Sequence, residues 1–242
     1  MSRTLLAIIS SEADNERLAR HWKYFVATGW SLMFCGTVDN KAVCPDPNTP
    51  MLNNGKLGRR MTPAGLSMWP LVYQEVNIWE FFLNHTEFDS VAIAEADGLF
   101  IRKPPTEHPG GPYLVNLVPN FSRPGLFKTS TYFQTVRWSD RPMTEKLFNY
   151  GSKMLAEGDA EHWISDRFPA WVCYRYHLSF MPIPNWTRFA FPSWSDLGED
   201  ACAFRDIRVA VRMGCWYLHS IKSEAHLHFA EEALAECEPS KK

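Results

Sequence analysis

The chain lacks most of the short signatures by which a protein's chemistry is read from sequence. Its six cysteines, Cys35, Cys44, Cys173, Cys202, Cys215 and Cys237, form no Cys-x-x-Cys pair, which removes the spacing of a structural zinc site. Several lie in apolar runs, and the set reads as reduced thiols of a cytoplasmic protein. No Gly-x-Gly-x-x-Gly follows the first apolar run, and no Gly-Lys-Ser/Thr loop occurs, so dinucleotide-binding and P-loop readings lose their phosphate cradles. Long hydrophobic runs are also missing. The N-terminal run, Leu5 to Ile9, stops at Ser10-Ser11-Glu12 and is too short for a signal peptide or a membrane span. Nor is there an excess of positive charge: a net charge of -2 and a pI near 6.4 argue against a dedicated nucleic-acid binder, which needs a basic face.

What is present is enough apolar material for a full core. With 242 residues, 45% hydrophobic and 21% charged, the chain fits one large domain spanning residues 1–242. Ten tryptophans and 14% aromatics supply large core side chains, and exposed rings of this kind also serve as flat platforms for sugars.

The order of apolar runs and breakers predicts an α/β fold with a mostly parallel central sheet flanked by helices. Thr4 to Ile9 reads as a buried strand, and the helix after it, about Ala13 to Ala27, sets Leu18, Trp22, Phe25 and Val26 on one face and ends at Gly29. Ser31 to Cys35 is a second strand, completing a βαβ unit. Val43 to Gly58, rich in Pro, Asn and Gly, reads as a surface loop. A core helix from near Ser67 to Asn84-His85 carries Val72, Val76, Trp79 and Leu83, and leads into the run Val91 to Ala94. Further on, strands are predicted at Tyr113 to Val118 and Thr131 to Val136. A helix from about Arg141 to Glu157 has Asp140 as its cap and Pro142 in its first turn. Ser165 or Asp166 caps another helix, which runs to about His177. Pro182 to Asn185 reads as loop and Arg208 to Met213 as a strand. Cys215 to Leu218 leads to His219, and a last helix covers Ser223 to about Cys237.

One stretch organises the rest. Val91 to Ala94 is a short continuous apolar run, the pattern of a strand covered on both faces, and it ends in Glu95-Ala96-Asp97-Gly98. Ligands of open α/β sheets bind at such strand ends. Two carboxylates one residue apart repel each other unless a cation sits between them.

At these residues the chain resembles the A-type glycosyltransferases, in which an apolar strand ends in a short acidic motif, usually Asp-x-Asp, that holds a divalent metal against the diphosphate of a nucleotide-sugar. Glu95-Ala96-Asp97 is a variant with Glu in the first place. The resemblance covers most of the chain in element order. It implies transfer of a sugar from a UDP- or GDP-sugar to a hydroxyl of a carbohydrate or glycoconjugate acceptor, as in polysaccharide biosynthesis, with Mn2+ or Mg2+ as cofactor and no nucleic acid among the partners. Residues 1–100 would bind the donor, and 101–242 would bind the acceptor and supply the C-terminal metal and phosphate elements. The resemblance assigns Ser10, Glu12 and Asp39 to the nucleoside, Arg59 or Arg60 and Lys222 to the phosphates, and Glu95, Asp97 and His219 to the metal. Of the two acids, Asp97 would contact the metal directly, while Glu95 would act through water or the ribose. Asp166 would be the general base of an inverting transfer, although Ser165 stands where the family's motif has a paired acid. A neutral imidazole can ligate a metal and an imidazolium cannot, so His219 predicts donor binding that weakens as pH falls through about 6 to 7.

Two other classes fit parts of the pattern. A nucleotidyltransferase also needs an acid pair at a strand end, but it uses a Gly-rich loop after the first strand, and Ser10-Ser11-Glu12-Ala13 is not one. A non-catalytic sugar-binding protein would account for the aromatics without a metal.

Overall fold

The computed structural model describes residues 3–10, 15–36, 44–53, 60–61, 67–68, 71–119, 131–157, 168–183, 204–219 and 221–237. The first βαβ unit forms as its pattern requires: β1 (Thr4–Ile9), α1 (Asn15–Val26) and β2 (Ser31–Gly36), with β1 and β2 parallel. Gly29, at φ 72°, takes the left-handed conformation that ends α1 and turns the chain into β2. A short strand, β3 (Met51–Asn53), adds to the far side of β2. It lies inside the stretch expected to be loop.

Two two-residue strands, β4 (Arg60–Met61) and β5 (Ser67–Met68), pair with each other. The core helix α2 (Leu71–Asn84) therefore starts at Leu71, just after Pro70, rather than near Ser67. The acidic strand β6 (Ser90–Glu95) lies parallel to β1 and is followed at once by β7 (Leu99–Phe100). Next come β8 (Tyr113–Pro119) and β9 (Thr131–Asp140), the latter four residues longer than its apolar run. Strand β9 is antiparallel to both β6 and β8.

Helix α3 (Arg141–Glu157) follows β9 without a loop. The Met143 amide donates to Asp140 Oδ1 at 2.9 Å, the N-cap bond expected of Asp140. Helix α4 (Phe168–Arg175) leads to β10 (Phe180–Pro182), an edge strand parallel to β8 that reaches into the predicted Pro182 loop. The segment expected as a strand from Arg208 is instead α5 (Phe204–Arg212). Helical spacing buries Ile207, Ala210 and Val211 on one side and leaves Val209 and Arg212 outside. The chain ends with β11 (Tyr217–Leu218) and α6 (Glu224–Cys237).

The result is a seven-stranded, mostly parallel sheet in the order β10-β8-β9-β6-β1-β2-β3. Alternation along the central strands divides the core in two. Leu5, Ala7, Ile9, Val91 and Ile93 face the layer of α2, α3 and α4, packing on Trp79, Phe82, Leu147 and Phe168. Leu6, Ile8, Ala92 and Ala94 face α1, packing on Leu18, Trp22 and Phe25. Val26, expected on the same face, is 53% exposed. A third cluster joins α5 and α6 to Leu99, Leu218 and Ile221. Among the described residues, no helix is long and apolar enough to cross a membrane.

Candidate metal centre

Three features carry the acidic turn from the central strand to the C-terminal segment. First, β6 pairs with β1 along its whole length, and the pairing is carried one residue further. Glu95 is in register with Ile9, and the Ala96 amide donates to the Ile9 carbonyl at 2.9 Å. Second, the Gly98 amide donates to the Glu95 carbonyl at 3.0 Å, closing a tight turn that reverses the chain into β7. Third, β7 pairs antiparallel with β11, Leu99 opposite Leu218 and Phe100 opposite Tyr217. The residue after β11 is His219. The turn is thus joined by a two-stranded ribbon to a residue 124 positions away.

Gly98 makes this closeness possible. A Cβ at that position would lie 1.7 Å from the Tyr217 hydroxyl oxygen, so no side chain fits. The Tyr217 ring is fully buried, and burial, with Asp97 and Glu95 beside it, pushes the phenol's pKa well above its ordinary value. It remains a neutral hydroxyl. From the other side, the Ile221 amide donates to the Asp97 carbonyl at 3.0 Å.

His219 Nε2 lies 2.8 Å from Glu95 Oε2 and 3.1 Å from Asp97 Oδ1. One donor atom from each residue falls within 4.8 Å of the other two. Their side chains are 32%, 11% and 14% exposed for Glu95, Asp97 and His219, so the cluster is walled but reachable.

Its electrostatics follow from two acids meeting one histidine. Burial opposes the charge on His219, but Asp97 and Glu95 outweigh it and raise the imidazole to about 10. Burial likewise works against the Asp97 carboxylate, and His219, then Lys222 and Arg17, overcome it and hold the group near 2. Without an ion, the histidine is protonated at neutral pH. The expected pH dependence around 6 to 7, taken from an unperturbed imidazole, is therefore corrected upward.

The donor set fits a divalent cation. Asp97 Oδ1 is buried and receives no well-formed hydrogen bond, a state a cation relieves. Two carboxylates and one imidazole suit Mn2+ better than Mg2+, which prefers oxygen ligands alone. No protein-family model and no curated protein matches the chain. The geometry stands by itself.

Of the other residues singled out in the sequence, Ser10 lies buried at the end of β1, its amide donating to the Cys35 carbonyl at 3.1 Å. Lys222 is half-buried beside the triad, its charge acting on Asp97. Arg60 belongs to β4. Glu12, Asp39, Arg59 and Asp166 lie outside the described residues. Two residues of α1 were missed. Arg17 Nε donates to the Lys222 carbonyl at 3.1 Å, and the buried His21 sets Nδ1 3.1 Å from the Ala96 carbonyl. Burial pushes the His21 imidazole below its ordinary pKa, so it is neutral.

Proposed function

We propose that the protein is a metal-dependent glycosyltransferase that moves a sugar from a nucleoside-diphosphate sugar to an acceptor hydroxyl, with inversion at the anomeric carbon. The observation that carries this reading is the convergence of Glu95, Asp97 and His219 at the carboxyl end of a central strand, with Lys222 and Arg17 adding positive charge next to Asp97. A site that sets anionic ligands next to fixed cations suits a metal-bound diphosphate.

Glu95, Asp97 and His219 would hold Mn2+ or Mg2+, and the bound ion would supply the positive charge that stabilises a departing diphosphate. Lys222 contributes a second, fixed positive charge on the same side. Ser10, at the end of β1, would contact the nucleoside, as the sequence resemblance has it. The roles of Glu12 and Asp39 at the nucleoside, Arg59 and Arg60 at the phosphates, and Asp166 as the base that takes the acceptor's proton rest on the sequence resemblance. The acceptor is a carbohydrate or glycoconjugate. Cys35, Cys44, Cys173, Cys215 and Cys237 form no disulfide, which suits a reaction in the cytoplasm.

Calorimetric titration with a panel of UDP- and GDP-sugars, in Mn2+ and in EDTA, tests the reading. We expect binding in Mn2+ that falls sharply in EDTA, and release of the nucleoside diphosphate once an acceptor sugar is added. Equal affinity in both media would overturn the metal reading. Release of pyrophosphate from a nucleoside triphosphate and a sugar phosphate would mark a nucleotidyltransferase instead.

A further inference from the structure

Helix α1 runs past the candidate metal centre without giving it a ligand, yet two of its side chains touch the two halves from which the centre is assembled. One half is the acidic turn, Glu95-Ala96-Asp97. The other is the segment that carries His219 and continues to Lys222. Arg17 and His21 are four residues apart, so they share one face of α1, one turn above the other. Each reaches a backbone carbonyl: Arg17 Nε that of Lys222 at 3.1 Å, and His21 Nδ1 that of Ala96 at 3.1 Å. The Gly98 carbonyl also lies against the His21 ring.

His21 is 2% exposed. A carbonyl only accepts, so Nδ1 carries the hydrogen, which fixes the tautomer. Ala96 is the residue between the two acids. Gripping its carbonyl fixes the rotation of the Ala96–Asp97 peptide, and with it the angle at which the Asp97 side chain leaves the turn relative to that of Glu95. An apolar residue would fill the same space equally well. The polar ring at a core position is explained by the carbonyl it holds.

The seam continues along both helices. Arg20 pairs with Glu224 at 2.9 Å, and Lys23 with Glu231 at 2.7 Å. Tyr24 donates to the same Glu231 at 2.5 Å. Together these contacts register α6, and the segment before it, against α1.

We propose that His21 and Arg17 are positioning residues for the metal centre, His21 setting the Glu95 and Asp97 pair and Arg17 setting the segment of His219 at the matching height. This rests on the metal reading above and adds to it residues that touch neither ion nor substrate. Supporting residues of this kind change metal affinity by ~10- to 100-fold when removed.

The test compares the parent chain with His21→Leu, His21→Asn and Arg17→Gln. Asn is chosen because its amide nitrogen falls where Nδ1 stood and can donate to the same carbonyl. Binding of Co2+ is followed by its visible absorption spectrum, which reports ligand geometry, and Mn2+ affinity is followed by calorimetry. We expect His21→Leu to lose ~10- to 100-fold in affinity and to shift the Co2+ bands. His21→Asn should restore both toward the parent. Arg17→Gln, at a half-buried site where no core is emptied, should weaken binding in the same direction and keeps the test open should His21→Leu fail to fold. Parent-like affinity and spectra in His21→Leu and Arg17→Gln would overturn this inference and leave the metal reading standing. Failure of the parent chain to bind either ion would overturn both.

Discussion

Two clusters of opposite charge sit on the same sheet and do opposite things. Glu75, from α2, pairs with Arg137, from β9, and both side chains are 2% exposed. One acid meets one base, in a closed layer between the sheet and α2, with Tyr113 alongside. Burial and then Glu75 raise that tyrosine's pKa far above normal, so it too is neutral. At the other cluster two acids meet one histidine, and the shell around them is open. A balanced, sealed pair has nothing to offer a ligand and holds two elements in one arrangement. Taken by itself, a reachable triad of two acids and one histidine carries more negative than positive charge, with Lys222 and Arg17 acting on Asp97 from beside it. Charge balance and access, more than the presence of charge, separate a structural cluster from a binding one.

The largest effect expected from breaking this contrast is on the sealed side. Arg137→Met leaves Glu75 buried without its partner, and loss of ~3–5 kcal/mol is expected, read by urea denaturation. The fraction that remains folded should bind Mn2+ as the parent does. Next comes the open side. Asp97→Asn should reduce Mn2+ affinity by more than the ~10- to 100-fold typical of a supporting residue, while its effect on stability stays within ~1–2 kcal/mol, because Glu95 still pairs with His219. Glu95→Gln, at the more exposed acid, should cost less affinity. The reverse order in two folded variants would show that Glu95 is the principal ligand.

The smallest effect is a pair of opposed pH slopes. His219 is raised from 6.5 to about 10 in the metal-free fold, so its stabilising contribution is complete below about pH 6.5 and is lost as pH climbs through 10. Asp97 is lowered from 3.8 to about 2, so its contribution is present above pH 3.8 and is lost as pH falls through 2. Metal binding must expel the His219 proton, and affinity for Mn2+ should therefore rise with pH over the interval in which the metal-free protein loses stability. Thermal unfolding with and without Mn2+, from pH 6 to 9, should show the two curves diverging. Parallel curves would mean that His219 does not bind the ion.

The sequence made the buried strands readable because their apolar runs are continuous, and it made α3 readable because Asp140 and Pro142 mark its start. Strand β3 escaped notice because an edge strand of three residues buries too little to leave a pattern among Pro and Asn. Strand and helix compete for a run such as Arg208-Val209-Ala210-Val211, where β-branched residues favour a strand. The decision for α5 came from tertiary packing: Ile207 and Ala210 are buried together with Leu218 of β11 and Ala230 of α6, and Val211 is buried on the same helix. The acidic pair could be named from type and position, and His219 was singled out through the family resemblance. His21 could not, because nothing near it in sequence says that a carbonyl 75 residues later will fall against its ring. The face expected for α1, Leu18, Trp22, Phe25 and Val26, holds for the first three, places the 53% exposed Val26 wrongly, and leaves out the polar contact of His21 among them.

The distance along the chain between the acidic turn and His219 also sets an order in time. The 124 residues between Glu95 and His219 correspond to ~6–25 s of synthesis at ~5–20 residues per second. Through that interval the emerging chain holds the two acids without the histidine, and β7 without its partner strand. The Glu95, Asp97 and His219 cluster is thus completed only when β11 docks and Tyr217 settles over Gly98. A nascent chain stalled before residue 217 would carry the sheet's central strands and no finished site.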